Sequence, residues 1–338
     1  MSYGTKVSIV TVPECADLAR SVHKILHAAG QDVRDNIVLV QTRIFADGNT
    51  LPKVASTVRR TEVYLFYAPE LGQPEKGMAH LAQILNALHL ASPISVKVVM
   101  PYFEGRQDRK DEARTSITSK VYARVIEGER SVNGFMTFDL HADQLTLAFE
   151  NPVDNLWGQI LLAEHCKKSY GPDAKVGIVS PDVGSTKRAR KFADKSGFTF
   201  LGLIDKIRAK ANEVAQMDYI GHSVEGYHVI LPDDIIDTGG TMVKASREVI
   251  SRGALSCTAY TTHWLASPKG ERTDPLRTAE AKFREAGLRV VATNTIPRPP
   301  EYIQTNGDVV TFVPCEQMLA NAIIQSITPA GSISRLGE

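Results

Sequence analysis

No stretch of this 338-residue chain approaches the 18 consecutive apolar residues of a membrane-spanning helix, so no span is expected. The opening ten residues lack a basic segment, an apolar core and a small-residue cleavage site, and no secretory leader is expected. Cysteine is scarce. Cys15, Cys166, Cys257 and Cys315 are far apart and follow no metal-ligand spacing, which argues against a disulfide framework or a zinc site. They read as small buried apolar groups suited to a reducing, cytoplasmic setting. Net charge of one sign is also missing. The formal charge is +1, too small to steer the whole chain to nucleic acid or a membrane surface, so any anion must be held by a local site. There is no low-complexity segment and no repeat at the level of residues.

What is present is ordinary globular composition, 43% apolar and 23% charged, in a chain long enough for two domains. Short β-branched runs alternate with helical patterns. Strands are expected at Val7–Val12, Ile37–Ile44, Val63–Tyr67, Val96–Met100 and Phe135–Asp139. Further strands are expected at Val176–Val179, Phe198–Ile204, His228–Leu231, Cys257–Thr262 and Arg289–Ala292. Helical patterns lie between them at Met78–Leu90, Ser116–Ile126, Leu156–Lys167, Lys187–Ser196 and Thr241–Ser251. Several strand runs are apolar without alternation, as parallel strands covered on both faces are. The order predicts an α/β fold of two similar domains, each an open, mostly parallel sheet flanked by helices. Asn151-Pro152-Val153-Asp154 is the expected crossing point, giving domains over 1–150 and 151–314. A helix over about 315–330 is expected to pack back on the first. Pro297–Gly307 reads as a surface loop.

The strongest feature runs from His228 to Thr241. An apolar strand leads into Asp233 and Asp234, then Ile235-Ile236, a third carboxylate at Asp237, and Thr238-Gly239-Gly240-Thr241 opening a helix. Glycines let main-chain N–H groups approach a phosphate, and the helix N-terminus favours negative charge. Carboxylates at the strand end accept hydrogen bonds from ribose hydroxyls or hold Mg²⁺ through water. Three acids before a Gly-Gly turn exceed what helix capping needs. The motif reads as a ribose-phosphate cradle, and by itself it does not separate a synthetase from a phosphoribosyltransferase.

The segment resembles the phosphoribosyl pyrophosphate-binding motif, and its surroundings resemble the ribose-phosphate pyrophosphokinase family. The resemblance extends over Phe45-Ala46-Asp47-Gly48, Arg106-Gln107-Asp108-Arg109-Lys110, Asp139-Leu140-His141-Ala142 and Pro152-Val153-Asp154-Asn155-Leu156. It continues through Ser180-Pro181-Asp182-Val183-Gly184, Lys206–Asn212 and Thr293-Asn294-Thr295-Ile296-Pro297, in family order over about residues 5 to 330. Alone, the seven charges within Arg106–Arg114 read as a solvated loop, and a lone His141 at a strand end as structural.

The resemblance implies an ATP-binding N-terminal domain and a ribose-phosphate-binding C-terminal one. It places Phe45, Asp47, Asn49, Arg106, Gln107, Asp108 and His141 at ATP, with His141 and Asp182 at Mg²⁺. Asp182-Val183-Gly184-Ser185, followed by Lys187 and Arg188, would wrap pyrophosphate. Asp233, Asp234, Asp237 and Thr238 to Thr241 would seat the ribose phosphate, and Lys206 and Arg208 on a closing loop would be the catalytic pair. The implied reaction passes pyrophosphate from MgATP to the C1 hydroxyl of ribose 5-phosphate. The family assembles as hexamers of dimers, so a homo-oligomer is implied as well.

Three departures from the family pattern stand out. Asn49 stands for a glutamate in the adenine-recognition stretch, Glu104-Gly105 for an aromatic-Ala pair, and Ser185 for a glycine. They leave open a larger acceptor such as ADP-ribose. A phosphoribosyltransferase would not need the Arg-Gln-Asp, Asp-Leu-His and Lys-x-Arg segments together. A non-catalytic regulatory subunit of a synthetase complex would have lost Lys206, Arg208 or His141.

Overall fold

The computed structural model describes residues 6–110, 112–207, 216–267 and 278–337, with the backbone alone at 206, 207, 216, 335 and 337. The chain divides into two units, one ending at Leu156 and taking up the chain again from Cys315, the other running Trp157–Pro314.

The first unit is built from β1 (Val7–Thr11), α1 (Ala16–Ala28), β2 (Val38–Ile44), β3 (Thr50–Val54), β4 (Glu62–Phe66) and α2 (Pro74–Leu90). Then follow β5 (Ser95–Val99), α3 (Thr118–Ile126), β6 (Val132–Phe138) and β7 (Val153–Leu156). Its sheet has the order β3-β2-β1-β4-β5-β6-β7. All neighbours are parallel except the edge pair β2 and β3. Every residue of β1 is buried, which explains an apolar run with no alternation.

The second unit contains α4 (Gly158–Ser169), β8 (Val176–Ser180), α5 (Thr186–Ser196), β9 (Thr199–Ile207), β10 (Gln216–Gly221), β11 (His228–Ile236) and α6 (Gly240–Ser251). It is completed by β12 (Ser256–Trp264), α7 (Ala279–Ala286), β13 (Arg289–Thr293), α8 (Pro300–Asn306) and β14 (Val310–Val313). Its strand order, β10-β9-β8-β11-β12-β13-β14, repeats that of the first sheet strand for strand. Again only one edge pair, β9 with β10, is antiparallel. The likeness of architecture without a repeat of residues is therefore carried by topology. The last helix, α9 (Glu316–Ile327), packs against α1 in the first unit. Lys97 fastens it there: its ammonium lies 2.6 Å from Asp154 and 3.3 Å from the Ser326 hydroxyl of α9.

Four expectations are corrected. Asn151–Asp154 does not leave the first sheet, because Val153–Leu156 pairs with β6 as its edge strand. Pro297–Gly307 is not all loop: Pro300 presets the first turn of α8, with Glu301 beside it. The strand beginning at His228 does not stop at Leu231. It runs five residues further because β12 pairs with it as far as Ile236. Nor does the strand beginning near Phe198 end before Lys206, since β9 continues to Ile207 against β10.

Candidate functional site

In both units the order of strands reverses beside the first strand, between β1 and β4 and between β8 and β11. In open α/β sheets ligands bind beyond the carboxyl ends of the strands at such a switch point. The residues singled out from sequence follow this geography. In the first unit they come after β2, β5 and β6; in the second they come after β8 and at the ends of β9 and β11.

The second unit carries the most constructed set. β11 pairs with β8 only from His228 to Ile230, so the strand runs on past its neighbour and carries Asp233 and Asp234 into the space above β8. The loop that follows β8 fills this space. Asp182 Oδ1 accepts a hydrogen bond from the Ser185 N–H at 2.8 Å, closing the loop before α5. The Ser185 hydroxyl donates to Asp233 Oδ1 at 3.1 Å. From the first turn of α5, Arg188 Nη1 lies 3.2 Å from a carboxylate oxygen of Asp233 and 3.2 Å from one of Asp234. Gln159, in the first turn of α4, donates to the Asp233 carbonyl at 3.0 Å. Burial holds the Asp233 carboxyl well above the usual carboxylate range. The neighbouring charge of Asp234 adds to this and Arg188 opposes it.

Asp237 ends this run, and Thr238 to Thr241 turn the chain into α6. Gly239 has φ of 74°. A Cβ there would lie 2.8 Å from the Phe283 ring. Thr238 is exposed, while Gly240 and Thr241 are half-buried. Gly239→Ala is expected to lower unfolding free energy by about 1–2 kcal/mol from the left-handed backbone alone, with the ring contact adding to it. Urea unfolding measures the loss, and an unchanged midpoint would mean that the turn rearranges freely.

The residues of the first unit are more dispersed. Phe45, Asp47 and Asn49 form the exposed connection between β2 and β3. Asp47 accepts from the Asn49 main chain at 3.0 Å and from its side-chain amide at 2.8 Å. These bonds hold the Asp47 carboxyl below the usual range. The Arg43 guanidinium stands over the Phe45 ring at 4.8 Å. Arg106 and Asp108 are half-buried and Gln107 exposed in the long connection after β5. Asp108 is engaged within its own unit, 2.5 Å from the Gln144 amide, a partner that sequence gave no sign of. His141 is exposed just after β6, and the preceding Asp139 has φ of 30°, a strained backbone for an aspartate.

Lys206 pairs through its backbone with Met217 in the β9–β10 ladder. Its side chain, and Arg208 altogether, lie outside the described residues. Val183 and Gly184 are exposed at the tip of the loop after β8. Two groups near these sets were not foreseen from sequence in the roles they take. Arg188, expected at an anion, is paired with carboxylates 45 and 46 residues ahead of it. Lys282 of α7 donates to the Thr238 carbonyl at 3.1 Å.

Comparison with known proteins agrees with this division of the chain. Residues 7–129 match the family model of the N-terminal domain of ribose phosphate pyrophosphokinase, and residues 159–283 match the phosphoribosyl transferase domain. Among curated relatives, the ribose-phosphate pyrophosphokinase of Xylella fastidiosa is 38% identical over 75% of this chain and 76% of its own. That of Oceanobacillus iheyensis is 36% identical over 83% of this chain and 84% of its own. The crystal structure of phosphoribosylpyrophosphate synthetase from Mycobacterium smegmatis superimposes with a TM-score of 0.81 at 26% identity, covering 95% of this chain and all of that one. With both domain models matched in order and relatives this similar across three quarters or more of the chain, the protein belongs to the ribose-phosphate pyrophosphokinase family of enzymes.

Proposed function

We propose that the protein transfers the β,γ-pyrophosphoryl group of MgATP to the C1 hydroxyl of ribose 5-phosphate, giving phosphoribosyl pyrophosphate and AMP. The reading is carried above all by the carboxylate pair Asp233 and Asp234, held under Arg188 at the switch point of the second sheet and followed directly by the Gly239-Gly240 turn. A buried acid pair compensated by a guanidinium suits a neutral polyol better than an anion, so the ribose hydroxyls are its natural partners. The amides and hydroxyls from Thr238 to Thr241 then take the 5-phosphate. Asp182, Val183, Gly184 and Ser185 serve the transferred pyrophosphate. Phe45, Asp47, Asn49, Arg106, Gln107, Asp108 and His141 serve ATP. Lys206 and Arg208 serve the charge that develops on the transferred group.

In the reaction a bond forms between the C1 oxygen and the β-phosphorus while the bond from that phosphorus to the α–β bridging oxygen breaks. The hydroxyl proton is lost and AMP departs with the bridging oxygen. The donor set suits Mg²⁺. Asp182, Asp233, Asp234 and Asp237 offer hard carboxylate oxygens, and Asp233 and Asp234 crowd like charges that a divalent cation would relieve. No group of three or more His, Cys, Asp or Glu side chains among the described residues is placed to hold an ion alone. That fits a metal bound by one or two carboxylates together with substrate phosphates. When bound, Mg²⁺ would neutralise phosphate charge.

We also propose a cytoplasmic homo-oligomer built from dimers. The Phe45 connection leaves Ile44 71% and Leu51 55% exposed, an apolar surface suited to burial against a second copy. Sedimentation at micromolar concentration should give a species larger than the monomer, and a monomer at every concentration would refute this part.

The activity test supplies MgATP with ribose 5-phosphate or with ADP-ribose and follows AMP. Release with ribose 5-phosphate, abolished by chelating the metal, is the expected result. Release with ADP-ribose alone would move the acceptor to the larger compound. Release with neither would refute pyrophosphate transfer.

A further inference from the structure

We infer that Lys282 is a positioning residue for the phosphate cradle and acts through the peptide group joining Thr238 to Gly239. The inference rests on the reading of Thr238 to Thr241 as the seat of the acceptor's 5-phosphate.

Helix α7 backs this turn at two points. The Phe283 ring comes within 2.8 Å of where a Cβ on Gly239 would sit. One residue earlier, the Lys282 ammonium donates to the Thr238 carbonyl at 3.1 Å. The described chain contains no cis peptide bond, so the Thr238 carbonyl and the Gly239 N–H point in opposite directions across one planar amide. A cation on the carbonyl oxygen draws electron density toward that oxygen and makes the N–H on the other side a stronger donor. Lys282 therefore strengthens a phosphate-facing group from behind, without touching the phosphate.

The helix that presents Lys282 is firmly placed. The Thr278 hydroxyl caps it by accepting from the Ala281 N–H at 3.3 Å. Phe283 is fully buried and packs edge-on against Trp264, with ring centroids 5.2 Å apart. The Trp264 indole N–H donates to the Tyr302 hydroxyl at 2.6 Å, and that hydroxyl donates to Glu280 of the same helix at 2.6 Å. Ordering a lysine side chain costs conformational entropy, and a helix fixed on both flanks confines that cost to the side chain alone.

The test compares wild type with Lys282→Met and Lys282→Arg at saturating MgATP, against whichever acceptor the wild type uses. Loss of one charge-assisted contact predicts an acceptor KM about tenfold higher for Lys282→Met. Turnover should stay within about twofold and the KM for ATP should not move. Lys282→Arg should recover most of the acceptor KM. An unchanged acceptor KM, an equal loss in kcat, no recovery by arginine, or a lowered thermal midpoint in Lys282→Met would each overturn the inference. If the wild type uses neither acceptor, the pyrophosphokinase reading fails separately. Titration with inorganic phosphate then decides about Lys282: weaker binding by Lys282→Met supports the inference, and equal binding overturns it.

Discussion

Replacing Arg188 by alanine should destabilise the second unit by about 3–5 kcal/mol, the usual cost of removing one partner from a buried charge network. The guanidinium stands 3.2 Å from both Asp233 and Asp234, whose side chains are 15% and 3% exposed. Other donors reach Asp233 Oδ1, namely the Ser185 hydroxyl at 3.1 Å and the Asp234 N–H at 3.0 Å. Neither carries a charge, and neither offsets the repulsion between adjacent carboxylates. The substitution also unties the α5 end of the loop after β8 from β11. Urea unfolding of wild type, Arg188→Ala, Asp233→Asn and the double variant forms a cycle. If the acid pair is what makes the loss large, Asp233→Asn should return part of the stability lost in Arg188→Ala. An Arg188→Ala protein that unfolds with the wild-type midpoint would show that the carboxylates do not need their guanidinium.

How much of this was legible in sequence follows from where each residue lies. The ten strands expected from sequence are the inner strands of the two sheets, whose buried faces demand apolar, β-branched runs. The four missed, β3, β7, β10 and β14, are the edges. An edge strand tolerates Pro52, and Asp154 or Asp218, because one side makes no ladder and part of its surface meets solvent. β11 was read too short for a related reason. Pro232 and the two aspartates look like the end of a strand, yet β12 alone holds the backbone as far as Ile236. The cradle itself was legible because its parts are contiguous in the chain. Arg188 was legible as a cation but not as the partner of Asp233 and Asp234, since the loop before α5 and the overhang of β11 together decide that contact. Lys282 lies 44 residues from the carbonyl that it bonds, and no local spacing relates the two.

Replacing Glu104 by glutamine should stabilise the first unit at alkaline pH and leave it almost unchanged in acid. Glu104 lies in the connection after β5, two residues before Arg106. Burial pushes its carboxyl up from 4.5 to about 7; Arg106 opposes the shift and Glu75 reinforces it. One of its oxygens, Oε2, is buried without a hydrogen-bond partner among the described residues. The folded protein keeps this proton up to about pH 7, whereas an unfolded carboxyl releases it near 4.5. The folded state therefore binds more protons across that interval, and stability falls as pH rises through it, levelling off above about 7. The gap corresponds to a penalty of about 3 kcal/mol at pH 8. Glutamine has the shape of the protonated acid and never ionises. Glu104→Gln should accordingly unfold with the wild type near pH 4.5, and should gain most of that 3 kcal/mol by pH 8. Thermal and urea unfolding at both pH values measure the difference. Equal stability of the two proteins at pH 8 would mean that the carboxyl is ionised in the fold without penalty, with Arg106 or water answering its charge.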